Sequence, residues 1–268
     1  MTKPLERAHP AVDQAPRLAT ADLLRLMHLE DRKAVRAVGG RLPEIAAAAD
    51  AVADRLRAGG RLHYFGAGTS GRLAALDAYE CGPTFGVRED MVVAHVAADS
   101  AGEDSADAGL ADAADLSPAD AAIGVTASGE TRYVITALRS ARARGALTIA
   151  LTSSPRSTAL LLSDFAIVVP TGPEVVAGST RLKAGTAQKL VLNMLSTAAF
   201  TRLGHTYRGR MVDLLVTNAK LRARAVRLVS DLTGSPAREA KAALEASDWS
   251  PRAAIVSLGV DLDGRGPS

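Results

Sequence analysis

Between Thr20 and Gly204 the hydrophobic pattern switches period. Residues 20–58 repeat apolar positions every three or four residues: Thr20 or Asp22 caps "ADLLRLMHLED", and "LPEIAAAADAVADRLRAGG" continues until Gly59 and Gly60 stop it. The spacing predicts helices there. From Arg61 onward the apolar residues cluster in short, nearly continuous runs, "RLHYFGA", "MVVAHVA", "AAIGVTAS", "ALTIALTSS" and "FAIVVPT", as expected of strands covered on both faces. Helical stretches intervene, "TSGRLAALDAYE" after the first run and Thr131–Arg144 after the third. "TAQKLVLNMLSTAAFTRLG" reads as a long helix whose few charges imply burial. Alternating strands and helices predict an α/β fold, a doubly wound parallel sheet flanked by helices. After Gly204 only helical pattern remains, punctuated by "TGSP" and "DWSP". The expected organisation is an N-terminal helical segment over 1–58 packing on a core over 59–204, followed by a small C-terminal helical region over 205–268.

Composition narrows the setting. With 268 residues, 47% of them hydrophobic, the chain can bury a sizeable core. The lone cysteine, Cys81, rules out an intramolecular disulfide framework and suits a reducing cytoplasm. No apolar run reaches the ~18 residues that a membrane span requires, and the N-terminus lacks the apolar core of a signal peptide. A cytoplasmic protein without a membrane partner is expected.

The net charge of +3 hides an uneven distribution: residues 97–120 carry seven acids and no base, residues 201–230 seven Lys or Arg against one Asp. The basic stretch raises nucleic acid as a partner. However, "TNAKLRARAVRLV" sets Leu221, Ala225 and Leu228 at helical spacing with its arginines on the solvated side, and aromatics for stacking on bases are missing apart from Tyr207. No nucleic-acid partner is expected.

Candidate chemistry lies where strands give way to helices. In "GAGTSGRL" Gly66, Gly68 and Gly71 permit close backbone approach, and Thr69 and Ser70 offer hydroxyl donors at a helix N-terminus, an arrangement suited to a phosphate ester. The loose dinucleotide pattern G-x-G-x-x-G is matched, but no acid closes the second strand before Asp99. A P-loop fails for want of a Lys after the glycines. "GVTASGETRYV" repeats the theme with Ser128, Gly129 and Thr131, so two hydroxyl-rich strand ends on one sheet can converge on one phosphate. His63, His95 and His205 lack metal-ligand spacing, and no zinc signature is present.

This pair of loops resembles the SIS domain, the sugar-phosphate isomerase fold. Within that class "GAGTSGRL", "ECGPTFGV", "GPEVVAGSTRLKAGTAQKLVLNMLST" and "MVDLLVTNAKLRARAVRLV" resemble the N-acetylmuramic acid 6-phosphate etherases, from "LLRLMHLED" to "AAIVSLG". The resemblance implies a homodimer that cleaves the lactyl ether of N-acetylmuramic acid 6-phosphate, giving N-acetylglucosamine 6-phosphate and D-lactate in peptidoglycan recycling, with no metal or organic cofactor. It also implies that the tail around Trp249 is the small UBA-like end of these enzymes, with Ala240, Ala243 and Leu244 as packing positions.

An alkoxide is a poor leaving group, but the open-chain aldehyde acidifies the C2 proton, so lactate can be eliminated from C3 and water added back. Two carboxylates in different environments can share the proton transfers. By resemblance the acid is Glu80, in "DAYEC", and the base is Glu103, in "GEDSADAG". Departures from the family pattern surround both. Tyr79 and Gly82 flank Glu80 where Ser and Pro are usual. The stretch before Glu103 is shortened, which leaves Asp99, Asp104 and Asp107 as rival bases. Glu130 and Arg132 stand where the family has Arg and Pro. Lys183 and Arg181 are candidates either to neutralise an anion or to pair at the start of the long helix, as are Glu174 and Ser179 to cap it. A non-catalytic sugar-phosphate-binding regulator and an aldose–ketose isomerase share the fold and stay open at this point.

Overall fold

The computed structural model describes residues 8–11 and 13–262, which fall into two compact units: one made of the described residues up to Ala78 with Asp90–Ala198, the other of Tyr79–Glu89 with the described residues from Ala199 onward.

The first unit is built on five parallel strands in the order β2-β1-β3-β4-β5: β1 Leu62–Gly66, β2 Val92–Val96, β3 Ala121–Val125, β4 Leu147–Thr152 and β5 Phe165–Val168. Strands β1, β3 and β4 are buried throughout, which is why their sequences read as continuous apolar runs. Helices α1 (Thr20–Gly39) and α2 (Leu42–Arg57) precede the sheet. Helix α3 (Gly68–Phe85) follows β1, the short α4 (Ser100–Glu103) and α5 (Ala106–Asp112) follow β2, α6 (Arg132–Ala143) follows β3, and α7 (Thr158–Leu161) follows β4. Helix α8 (Lys183–Arg202) is long and has almost no amphipathic asymmetry, consistent with buried residues such as Val191, Leu192, Leu195 and Phe200 along it. A core of Phe65, Ala122, Val134, Leu138, Ala150 and their neighbours packs α6 against the sheet.

The order reverses between β1 and β3, which makes their carboxyl ends the topological switch point where open parallel sheets bind ligands. Register makes the two ends level: Leu62 pairs with Ala121, and Gly66 with Val125.

The second unit centres on α9 (Ala219–Thr233), α10 (Ala237–Ala246) and α11 (Pro251–Ser257), packed through Ala225, Val229, Ala240, Leu244 and Ile255. Leu221, Ala225 and Leu228 face inward and Arg222, Arg224 and Arg227 are exposed, as the helical spacing predicts. The helices-only expectation after Gly204 fails at one place. Thr206–Tyr207 and Arg210–Met211 form the antiparallel hairpin β6–β7, turned by Arg208 and Gly209 at φ 49° and 71°. Paired positive φ values define the two-residue turn whose twist suits a hairpin. Asp213 accepts hydrogen bonds from Arg252 Nη2 and His205 Nδ1, each at 2.8 Å. Among the described residues no helix is long and apolar enough to cross a membrane.

Candidate phosphate and proton-transfer site

The first loop is built on contact between two glycines. A Cβ on Gly66 would lie 2.7 Å from Gly71 Cα, and one on Gly71 would lie 2.7 Å from both the Gly66 carbonyl oxygen and Val96 Cγ1. Any side chain at either position would force β1 and α3 apart. Gly68 sits between them at φ 53°, in the left-handed region that favours glycine. Thr69 and Ser70 occupy the opening turn of α3 and are half-buried. The expected contributors Gly68, Thr69 and Ser70 thus stand where first-turn N–H groups of a helix are unsatisfied and the dipole favours an anion.

Ser70 has a partner that local sequence pattern did not reveal. Its hydroxyl donates to Gln188 Oε1 at 3.0 Å, across a separation of 118 residues. Gln188 is buried, and its Nε2 has no hydrogen-bond partner among the described residues. A half-turn of that amide exchanges the roles, so that Nε2 donates to Ser70 and the serine proton is released toward an anion. The "STRLKAGTAQK" segment resembles the family, but its contact with Ser70 is a matter of folding, not spacing.

The second loop is organised by Thr126, which was likewise missed. Its Oγ1 lies 2.9 Å from Thr131 Oγ1 and 3.5 Å from Ser128 Oγ, and accepts from the Gly129 N–H at 3.2 Å. Ser128 Oγ accepts from the Glu130 N–H at 3.1 Å. Gly129 has φ 71°, and a Cβ there would meet Ser157 Oγ at 2.2 Å. Thr131 occupies the N-cap position of α6, yet its side chain makes no capping hydrogen bond. It is engaged with Thr126 instead, which leaves the helix opening uncapped for an anion. Ser128, Gly129 and Thr131 are therefore gathered on one loop, at the end of the strand that pairs with the end of β1.

Of the two candidate carboxylates, Glu103 is brought to this loop: its Oε1 lies 3.5 Å from Thr131 Oγ1. Asp99 is committed elsewhere, because its Oδ1 accepts from the Gly102 N–H at 2.8 Å and caps α4. Asp104 follows as the C-cap residue and Asp107 sits in the first turn of α5. The acidic stretch is thus two short capped helices rather than an unstructured charge run. Glu80 lies ten residues beyond Ser70 on α3, within the second unit, and is exposed. Its carboxylate has no hydrogen bond or ion pair among the described residues.

Glu130, one of the residues that depart from the family pattern, has a structural role. Glu130 accepts from the Thr158 N–H at 2.9 Å and from its hydroxyl at 2.8 Å, tying the second loop to the start of α7. Lys183 is buried, donating to Glu30 Oε2 at 2.6 Å and to the Pro173 carbonyl at 2.7 Å. Burial opposes ionisation of Glu30, but hydrogen bonds from Lys183, Lys33 and His9 outweigh it and hold the carboxyl at about 2. Glu174 caps α8 by accepting from the N–H groups of Lys183 and Ala184 at 3.1 and 3.0 Å, and burial pushes its pKa up. Pairing and capping, rather than neutralising an anion, account for both residues.

On β1 and β2, His63 Nδ1 lies 3.0 Å from His95 Nε2, with the rings stacked. Burial first, and then His95 and Arg61, bring His63 down to about 4, and burial lowers His95 as well. Among the described residues no group of three or more His, Cys, Asp or Glu side chains is placed to hold a metal ion.

Residues 32–153 match the SIS domain family model. The solved phosphoheptose isomerase from Francisella tularensis shares the fold, with a TM-score of 0.56 at 17% identity over 69% of this chain and 100% of that one. The switch-point loops therefore belong to an SIS-domain protein. Much nearer in sequence are N-acetylmuramic acid 6-phosphate etherases: that of Rubrobacter xylanophilus is 50% identical over 98% of this chain and 89% of its own, and that of Thermobifida fusca 49% over 95% and 86%. The chain belongs to the N-acetylmuramic acid 6-phosphate etherase family.

Proposed function

We propose that the protein is a lyase that cleaves the lactyl ether of N-acetylmuramic acid 6-phosphate, releasing D-lactate and N-acetylglucosamine 6-phosphate in peptidoglycan recycling. The observation that carries this reading is identity of about one half to etherases along nearly the whole chain, through both hydroxyl loops.

In this reading the 6-phosphate is held by the N–H groups and hydroxyls of Gly68, Thr69 and Ser70 and of Ser128, Gly129 and Thr131. Glu103 takes the C2 proton of the open-chain aldehyde. The electron pair forms the C2–C3 double bond as the C3–O bond breaks, and Glu80 protonates the departing lactate oxygen. Water then adds at C3 and a proton returns to C2. The position of Glu103 beside Thr131 supports its role; for Glu80 the support is its "ECGPTFG" surroundings. Unpaired carboxylates suit proton transfer better than groups bound in structural ion pairs.

Incubation with N-acetylmuramic acid 6-phosphate, followed by a D-lactate assay, tests the reading. Lactate release that depends on the 6-phosphate is expected. An aldose–ketose isomerase or a sugar-phosphate-binding regulator releases none, and that result would overturn the assignment.

The reading extends to a homodimer in the cytoplasm, with no nucleic-acid partner. Support for self-association comes from Leu24, Leu29 and Val35 on α1 and Leu42 on α2, each at least half exposed. Sedimentation at micromolar concentration should give twice the chain mass; an active monomer would contradict it.

A further inference from the structure

The second unit contains a cavity of about 570 Å³ that neither hydroxyl loop enters, lined by Gly209, Arg210, Met211, Leu214, Arg224, Arg227, Leu228 and Asp231. Its walls are the β6–β7 hairpin and one face of α9. Three guanidinium groups meet one carboxylate, a net charge of +2 (three Arg less one Asp), and the carboxylate is already taken, because Asp231 Oδ2 accepts from Arg210 Nη1 at 2.9 Å. Arg224 and Arg227, one helical turn apart and both exposed, have no acidic partner among the described residues. Like charges at that spacing repel. Met211, Leu214 and Leu228 supply an apolar part of the lining.

We infer that this cleft is a second binding site, for a phosphate monoester. A monoester is close to a dianion at neutral pH, which matches the cleft's net charge of +2, and its three terminal oxygens can accept from the guanidinium groups; a carboxylate has two oxygens and a single charge. The cavity lies within the size range of small-molecule sites and exceeds what a bare phosphate fills, so the carbon body of the ester has room against the apolar residues. Its residues are separate from those assigned to etherase chemistry, and the inference stands whatever reaction the first unit performs.

Calorimetric titration of the full chain with glucose 6-phosphate tests it, with glucose as the uncharged control. Binding is expected for the phosphate and not for glucose. The titrations are made on the full chain carrying Ser128→Ala, which weakens the phosphate site proposed in the first unit; in that background Arg224→Ala/Arg227→Ala should lose at least about tenfold in affinity. Both substituted arginines are exposed, and circular dichroism checks that the variant is folded. In the Ser128→Ala background, binding unaltered by the double arginine substitution or no binding at millimolar ester would each overturn the site.

Discussion

Glu103 Oε1 lies 3.5 Å from Thr131 Oγ1, so the short acidic helix after β2 and the opening of α6 meet at a carboxylate–hydroxyl pair beside the second hydroxyl loop.

If Glu103 abstracts the C2 proton, Glu103→Gln should abolish both lactate release and exchange of the C2 hydrogen with heavy water, by about 10²–10⁴ in rate. Glu80→Gln should still exchange C2 hydrogen while releasing little lactate. Asp104→Asn and Asp107→Asn should be near neutral. Proton exchange followed by NMR separates the two roles, and normal turnover by Glu103→Gln would reassign the base.

Thr126→Val and Ser128→Ala each remove a hydroxyl from the second loop, and Gln188→Ala removes the partner of Ser70. Loss of a donor to a charged acceptor costs about 1.5–3 kcal/mol. Steady-state kinetics should therefore show KM raised by about tenfold or more, with kcat changed much less. Gln188→Glu, which places a second negative charge behind the phosphate, should raise KM further than Gln188→Ala; an equal or smaller effect would remove Gln188 from the phosphate site.

Much of this site was legible because its signals are local. Glycines, hydroxyls and an apolar strand all fall within "YFGAGTSG" or "GVTASGET", and the central strands were clear because burial on both faces leaves few polar positions to blur them. What was not legible depends on contacts distant in sequence or on elements too short to show a period. Gln188 meets Ser70 only through folding, and Lys183 meets Glu30 across 153 residues. The β6–β7 strands have two residues each, too few for an alternation to appear, and the left-handed turn falls on Arg208, inside a basic run. Helix α3 runs past Glu80 to Phe85, through Pro83, beyond the helical stretch "TSGRLAALDAYE".

Lys183→Met should destabilise the fold by about 3–5 kcal/mol, because it strips a buried carboxylate of one of its charge partners. The urea midpoint measures this. Adding Glu30→Gln should restore part of the loss, since the uncompensated charge then disappears.

Acidification should weaken the fold in two stages. The native chain keeps His63 neutral down to about 4, whereas the unfolded chain protonates it near 6.5, so stability falls as pH drops through that interval, by on the order of 3 kcal/mol in full. Glu30 has a folded pKa of about 2 against an ordinary 4.5, and its contribution is present above 4.5 and lost as pH descends toward 2. Denaturation midpoints against pH should show His63→Phe with a shallower slope in the upper interval and an unchanged slope in the lower one.

The contact between Gly66 and Gly71 restricts how this protein can diverge. Where two backbones touch, there is no side chain for mutation to vary in small steps, and the first replacement tried at either position displaces a strand from its helix. Changes of substrate among its descendants must therefore arise at the hydroxyls, at the carboxylates or in the surrounding loops. A library built to retarget the enzyme should leave these two codons untouched.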